Sequence, residues 1–269
     1  MRTVAHLSDL HFGRVDPALI EPLLRSVETA SPDVVVVSGD LTQRARKKEF
    51  EQARDFLARI RPPMIVVPGN HDVPLYRVWE RFLSPLGKYQ RFIQRQLEPS
   101  FIDGEIAVLG VNTARSLTFK NGRINEEQMA SIQQRLEPLG ENVTKVIVTH
   151  HPFDLPDDKG DVDLVGRARE AMKVFSDCGV DLLLSGHFHK SEAGDTSDRY
   201  EIPGYSALAV QAGTATSTRN RGEENSFNVL RIQSDEIVVE RRIWHPEAES
   251  FRAHRQERFV RTGERWVER

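Results

Sequence analysis

Five short motifs combine histidine, aspartate, asparagine and glycine, and each directly follows a run of apolar residues. The motifs are Ser8-Asp9-Leu10-His11, Gly39-Asp40, Gly69-Asn70-His71-Asp72, His150-His151-Pro152 and Gly186-His187-Phe188-His189. Carboxylate oxygens, imidazole nitrogens and an amide oxygen together suit Mn, Fe, Zn or Co, whereas Ca prefers oxygen ligands alone. The motifs therefore predict a transition-metal centre assembled from distant parts of the chain.

The spacing inside two motifs also indicates a shared target. In an extended segment, side chains two positions apart face the same way. Asp9 with His11, and His187 with His189, could therefore each offer two groups to one region. The glycines of three motifs would let the backbone turn sharply and pass close to a metal.

The elements that must position these motifs alternate between strands and helices. Apolar runs predict strands at residues 3–7, 33–37, 64–67, 106–111, 145–149 and 180–185. Helical spacing of apolar residues predicts helices at 18–29, 49–60, 125–136 and 164–176. This order favours parallel strands, whose carboxyl ends meet at one edge of a sheet, where α/β proteins bind ligands.

Two segments break this alternation. Residues 75–97 interleave aromatic and basic residues, which predicts one or two inserted amphipathic helices. They could be plain structure, or a lid whose apolar face admits a lipid-like substrate or docks on a membrane. After residue 186, runs at 207–212, 226–232 and 236–244 predict antiparallel strands.

In order and in full, the five motifs resemble those of the calcineurin-like metallophosphoesterases, and the resemblance spans residues 3 to about 190. The Gly-Asn-His-Asp form is most similar to the cyclic-nucleotide phosphodiesterase (class III) branch. The resemblance implies an α/β fold: a four-layer α/β/β/α sandwich of two mixed sheets flanked by helices, with a helical insertion at about 75–98. We expect the domain to cover residues 1–245. An arginine-rich tail at 246–269, solvated or partly ordered, would follow it.

The resemblance also implies a role for each motif residue. Asp9, His11 and His189 would hold one metal, Asn70, His150 and His187 would hold a second, and Asp40 would bridge both. His71 would face the substrate phosphate and assist the leaving group, and Asp72 would orient His71. Two divalent or trivalent ions of Mn, Fe or Zn would then supply a bridging hydroxide as nucleophile.

Four further sites near the motifs stay open at this point. His6 is expected to be packed beneath the site, and His151 could line the pocket. Phe188 could stack on a base or simply pack, and Asn112-Thr113 could contact substrate.

Composition limits the remaining function classes. The formal charge of −3 and a pI near 6.3 argue against a general nucleic-acid binder. The single cysteine, Cys178, excludes an internal disulfide and fits a reducing compartment. No run of 18 apolar residues and no signal peptide is visible, so we expect a cytoplasmic protein without a transmembrane segment. The arginine-rich tail could serve a homodimer contact.

The sequence thus predicts a dinuclear metal-dependent phosphodiesterase acting on small diesters, including cyclic nucleotides such as cAMP. Hydrolysis of a lipid-linked or sugar-nucleotide pyrophosphate of the UDP-diacylglucosamine type is an alternative, and a phosphomonoesterase is another. A metal-free binding scaffold should lack some ligands, and every ligand position is present here.

Overall fold

The computed structural model describes residues 1–117, 120–154, 164–218 and 222–269. Its strands are β1 (Arg2–Leu7), β2 (Val34–Ser38), β3 (Met64–Val67), β4 (Ser100–Ile102), β5 (Ile106–Gly110), β6 (Thr144–Val148), β7 (Leu182–Ser185), β8 (Glu192–Asp195), β9 (Leu208–Gln211), β10 (Ser226–Ile232), β11 (Glu236–His245), β12 (Ser250–Thr262) and β13 (Arg265–Glu268). Its α-helices are α1 (Ile20–Ala30), α2 (Lys47–Leu57), α3 (Val78–Leu83), α4 (Gly87–Phe92), α5 (Glu126–Leu136) and α6 (Ala168–Cys178). Within the described ranges, no helix combines the length and hydropathy needed to cross a membrane.

The strands form two mixed sheets. The first has the order β13-β12-β11-β10-β1-β2-β3, and the second has the order β4-β5-β6-β7-β9-β8. The predicted parallel arrangement is confirmed for β1, β2 and β3 in one sheet and for β5, β6 and β7 in the other.

The two sheets face each other and carry helices on their outer faces. Val34 and Val36 of β2 pack between the sheets, whereas Val35 and Val37 pack on the opposite face with residues of α1 and α2. Residues of α5 and α6 cover the outer face of the second sheet. A strand buried on both faces needs apolar side chains on both, which explains the unbroken valine run. The predicted α/β/β/α sandwich is confirmed.

One predicted strand direction is only half right. The run at 207–212 was expected to be antiparallel, but β9 is parallel to β7 and antiparallel only to β8. The chain leaves β7, turns back to form the edge strand β8, and turns again before β9. Two reversals return β9 to the direction of β7.

The expected tail at 246–269 is in fact a hairpin at the edge of the first sheet. β12 pairs with β11 from Glu236↔Val260 to His245↔Ser250, and β13 pairs with β12. Phe259 and Trp266 are buried in the core between the sheets. The solvated-tail prediction failed because charged residues on the exposed positions mask the apolar ones that face the core.

Candidate metal centre

The structure brings all seven predicted ligands into one cluster at the carboxyl ends of the strands. The motifs after β1, β2 and β3 supply Asp9, His11, Asp40 and Asn70, and those after β6 and β7 supply His150, His187 and His189. Six of the seven are buried and Asn70 is half-buried. The cluster therefore lies where loops of both sheets converge.

Three ligand atoms form a regular triangle on one side of this cluster. Oδ1 of Asp9 lies 3.4 Å from Nε2 of His11 and 3.4 Å from Nε2 of His189. The two imidazole nitrogens are also 3.4 Å apart. These are the three residues predicted for the first metal.

A second triangle lies beside the first. Oδ1 of Asn70 is 3.1 Å from Nε2 of His150 and 3.1 Å from Nδ1 of His187. The two imidazole nitrogens are 3.2 Å apart. These are the three residues predicted for the second metal.

Asp40 lies between the triangles. Its Oδ2 atom is 3.4 Å from Nε2 of His150 and 3.8 Å from Nε2 of His11. One oxygen can thus approach both sets of ligands, as a bridging carboxylate must.

The donor set fits two metal ions. Atoms that bind one zinc-sized ion at about 2.0–2.2 Å stand roughly 3.0–3.6 Å from one another, which is the spacing within each triangle. Among the residues that the structure describes, Oδ1 of Asp9 is also buried without a hydrogen-bond partner. A buried carboxylate oxygen in that position is costly unless a cation compensates it.

The pKa shifts within the cluster also indicate that its carboxylates need positive charge nearby. Burial alone would lower the pKa of His150, but Asp40 and then Asp9 raise it to about 9. Burial also opposes ionisation of Asp40, yet His150 and His71 hold the pKa of that carboxyl well below its usual range. Burial and the charge of His150 lower the pKa of His187 to about 3. Without metal, His150 is therefore protonated beside the carboxylates, and metal binding must displace its proton.

The ligand-bearing backbone is not extended, as the spacing argument expected. Asp9 and His11 have φ values of 52° and 50°, Asp40 has 51°, and His187 and His189 have 77° and 62°. Left-handed conformations of non-glycine residues are uncommon and cost about 1–3 kcal/mol each unless the surroundings impose them. Five such residues in one cluster indicate a backbone held for the site rather than for stability.

Glycines provide the space for this approach. Gly39 has a φ of 92° and needs its conformational freedom. A Cβ atom at Gly69 would stand 2.1 Å from Oδ1 of Asp40, and one at Gly186 would stand 1.8 Å from Oγ of Ser8. Those two glycines are required by packing against ligand-bearing segments, not by their own φ.

His71 lies beside the cluster, as predicted, but Asp72 does not orient its ring. Nδ1 of His71 donates to the carbonyl oxygen of Gln43 at 2.9 Å. The Asp72 carboxylate instead accepts from the backbone of Leu41, Thr42 and Gly69, at 2.9–3.2 Å. Burial, with repulsion from Asp40, raises the pKa of Asp72 to about 6. Asp72 therefore joins the loops after β2 and β3 and affects His71 only through the backbone.

Polar groups that the motifs did not reveal hold the ligand rings. Nδ1 of His150 donates to the carbonyl oxygen of Ser38 at 2.8 Å, and Nδ1 of His189 hydrogen-bonds with Oγ1 of Thr214 at 2.8 Å. Each contact directs the Nε2 atom toward the cluster. Thr214 follows β9 and lies outside every motif, so no sequence pattern predicted this contact.

The residues at the four open positions are all buried and make contacts inside the protein. Nε2 of His6 hydrogen-bonds with Oγ of Ser38 at 2.9 Å beneath the cluster. His151 is buried and its Nδ1 contacts Oγ1 of Thr113 at 2.7 Å. Phe188 is buried and packs edge-on against the His187 ring. Oδ1 of Asn112 accepts from the backbone of Ala114.

A cavity of about 270 Å³ opens beside the cluster, lined by Gln43, Arg44, Asn70, His71, Val73, Leu75 and Arg81. It is large enough for a small phosphoryl compound. The exposed Arg44 guanidinium in its lining favours an anionic occupant.

The sequence also matches known proteins. The family model described as calcineurin-like phosphoesterase matches residues 2–191. A glycerophosphodiester phosphodiesterase of Enterobacter lignolyticus is 27% identical over 163 residues, which cover 56% of this chain and 58% of that protein. A probable cyclic nucleotide phosphodiesterase of Synechococcus is 25% identical over 201 residues, covering 70% of this chain and 74% of that protein. The chain therefore spans a little over half the length of the first of these relatives.

A solved structure agrees on the fold. A dimetal phosphatase from Danio rerio superimposes with a TM-score of 0.65 at 14% identity, covering 90% of this chain and 96% of that one. The predicted resemblance to the cyclic-nucleotide phosphodiesterase branch is confirmed by the sequence relatives.

Proposed function

Because this chain belongs to the calcineurin-like phosphoesterase family, we propose that it is a dinuclear metal-dependent phosphodiesterase acting on small phosphodiesters. Asp9, His11 and His189 would hold one ion, and Asn70, His150 and His187 the other. Asp40 would contribute to both shells. Mn, Fe and Zn are the candidate ions.

One observation carries this proposal. Two triangles of mixed oxygen and nitrogen donors, with edges of 3.1–3.4 Å, lie on either side of a single carboxylate oxygen. Among the described residues, Oδ1 of Asp9 is buried and has no hydrogen-bond donor. A cluster that served only to stabilise the fold would pair such an oxygen with a donor.

The chain's own groups suit hydrolysis of a phosphate ester. When bound, two such ions neutralise phosphate oxygens and make water a nucleophile near neutral pH. The ester would lie in the adjoining cavity, which Arg44, Asn70 and His71 line together. His71 keeps a proton on Nδ1, since that atom donates to Gln43. Its Nε2 is the nitrogen placed to pass a proton to the leaving oxygen.

Diesters are favoured over monoesters by the similarity to two phosphodiesterases. The test is a panel of cAMP, linear diesters, pyrophosphates and monoesters, run with Mn, Fe and Zn in turn. We expect kcat/KM for bis(p-nitrophenyl) phosphate to exceed that for p-nitrophenyl phosphate by about tenfold or more, a barrier difference of roughly 1.4 kcal/mol. A preference for the monoester would overturn the diesterase proposal.

A second candidate is a lipid-linked pyrophosphate of the UDP-diacylglucosamine type. The observation favouring it is that Leu75, the first residue of the apolar insertion, lines the cavity beside His71. An acylated pyrophosphate should then be cleaved faster than its deacylated form.

A further inference from the structure

Helix α3, in the segment 75–97, exposes its apolar side chains and buries a charged one. Its residues Val78, Trp79, Phe82 and Leu83 are all exposed, with Trp79 at 80% and Leu83 at 79%. They occupy helix positions i, i+1, i+4 and i+5, so they share one face. Exposed apolar faces of this kind on a soluble domain mark sites of interaction.

The side chain that faces inward is an arginine. Arg81 is only 4% exposed, and its guanidinium donates to the carbonyl oxygens of Ser116 and Pro74 at 2.7 and 3.2 Å. These bonds hold α3 in its orientation, and turning its apolar face inward would break both of them. The exposure is therefore built into the fold.

A basic groove adjoins this face. Its volume is about 420 Å³, and the residues lining it include five cations and, within the described chain, no carboxylate. Those cations are Arg44, Arg46, Lys47, Arg77 and Lys88. Three carboxylates beside the groove pair with four of them: Glu80 with Arg77 and Lys88, Glu49 with Arg46, and Glu51 with Lys47. Five positive and three negative charges leave the groove with an excess of two positive charges. Tyr76 lines the same groove, lies next to α3 in the chain, and has the Arg44 guanidinium 5.6 Å from its ring centroid.

We propose that the surface formed by α3 and this basic groove docks on an anionic phospholipid membrane. Apolar side chains enter the boundary of the acyl chains while cations meet lipid phosphates, the arrangement that binds interfacial helices. A second copy of the chain fits less well, because a face-to-face contact would bring the same cations together. The groove and the cavity beside His71 share Arg44 and Leu75, so docking would turn the candidate metal centre toward the lipid headgroups.

Trp79 provides a direct readout. The other two tryptophans are half-buried (Trp244) or buried (Trp266), so a shift of the emission toward blue on adding vesicles reports Trp79. We expect the protein to sediment with phosphatidylglycerol vesicles and not with phosphatidylcholine vesicles, with the blue shift only in the first case. Trp79→Ser and Leu83→Ser should each lower the vesicle partition coefficient about tenfold.

The charge contribution is tested separately. Arg46→Gln and Lys47→Gln, whose side chains are 76% and 69% exposed, should each lower partition about fivefold. Ile102→Ser and Val267→Ser remove exposed apolar side chains outside α3 and the groove, and should leave the vesicle partition coefficient unchanged.

Three results would overturn the proposal. They are no sedimentation with phosphatidylglycerol, equal binding to both lipids, or a doubled mass in light scattering that Trp79→Ser abolishes, which would assign the face to a second copy. Because the assay contains no substrate, its failure leaves the proposed hydrolysis untouched. A loss of hydrolysis would likewise leave vesicle binding untouched.

Discussion

The backbone amide of His71 donates a hydrogen bond of 2.8 Å to Oδ1 of Asp40. The proposed proton donor and the proposed bridging ligand are thus held by one contact between the loops after β2 and β3. Oδ2, the other oxygen of Asp40, is left to face the ligand triangles. A change at Asp40 should therefore also move His71, whereas a substitution of the His71 side chain keeps the backbone amide that makes this bond. Separate readouts for metal content and for chemistry are needed.

Replacing Asp40 by Asn tests the bridging role. The amide keeps the shape but loses the charge that both triangles share. Mutation of groups that only hydrogen-bond to metal ligands costs about 10–100-fold in metal affinity or activity. Asp40 is itself a proposed ligand, so we expect Asp40→Asn to lower metal affinity by about 100-fold or more. Metal analysis after dialysis should find fewer than two ions per chain. Asp55→Asn, on the exposed face of α2, is the control, and retention of both ions by Asp40→Asn would contradict bridging.

Replacing His71 by Gln tests proton donation. Metal content should stay unchanged, while kcat for a diester with an alkoxide leaving group falls about 10²–10⁴-fold, the usual contribution of a general acid. For a nitrophenolate leaving group, which needs little protonation, the loss should be much smaller. Equal losses for both leaving groups would indicate a positioning role instead.

Replacing Gly69 by Ala tests the close packing around Asp40. The new Cβ atom would stand 2.1 Å from Oδ1 and 2.3 Å from the backbone nitrogen of Asp40, so that segment must move. We expect weaker metal binding together with a lower melting temperature. Gly140→Ala is the matched control, because nothing lies within 4 Å of its added Cβ. That change should be neutral or stabilising by about 0.4–1 kcal/mol.

Replacing His6 by Gln tests the acid sensitivity of the metal-free protein. Burial, opposed by Asp9, lowers the pKa of His6 from 6.5 to about 3. Between these values the unfolded chain binds a proton that the folded chain does not, so stability is lost as pH falls below 6.5. As the pH falls from 6.5 toward 3, the free energy of unfolding should decrease less steeply in the variant than in the parent protein. The two slopes should differ by about 1.4 kcal/mol per pH unit. Denaturant titrations at several pH values measure this slope, and parallel profiles would remove His6 as a cause.

The position of the site was predictable because it follows from sheet geometry. Parallel strands of one sheet end at one edge, so the polar residues after β1, β2 and β3 had to meet, and so did those after β6 and β7 in the second sheet. The packing of the two sheets then brings both sets together. The burial of β2 on both of its faces was equally predictable from its run of valines. These features depend on local pattern and chain direction, and both are written in the sequence.

Other features depend on contacts between distant segments. Asp and His adopt left-handed φ values more often than most residues, but residue type alone does not show that Asp9 and His187 do so here. Asp72 sits next to His71 in sequence, yet its partners are the amides of another loop. The direction of β9 depends on the number of chain reversals after β7. Thr214 is recognised as a partner of His189 only once the position of β9 beside the site is known.

The central position of β1 constrains how the molecule is made. β1 lies between β2 and β10, and its residue Arg2 is opposite Ile232. During synthesis, a nascent chain that already contains β1 must keep one side of that strand unpaired until residues 226–232 leave the ribosome. Such an open strand edge invites misassembly. We expect the emerging chain to need shielding, by a chaperone or by rapid translation, from the synthesis of β1 until residues 226–232 have emerged.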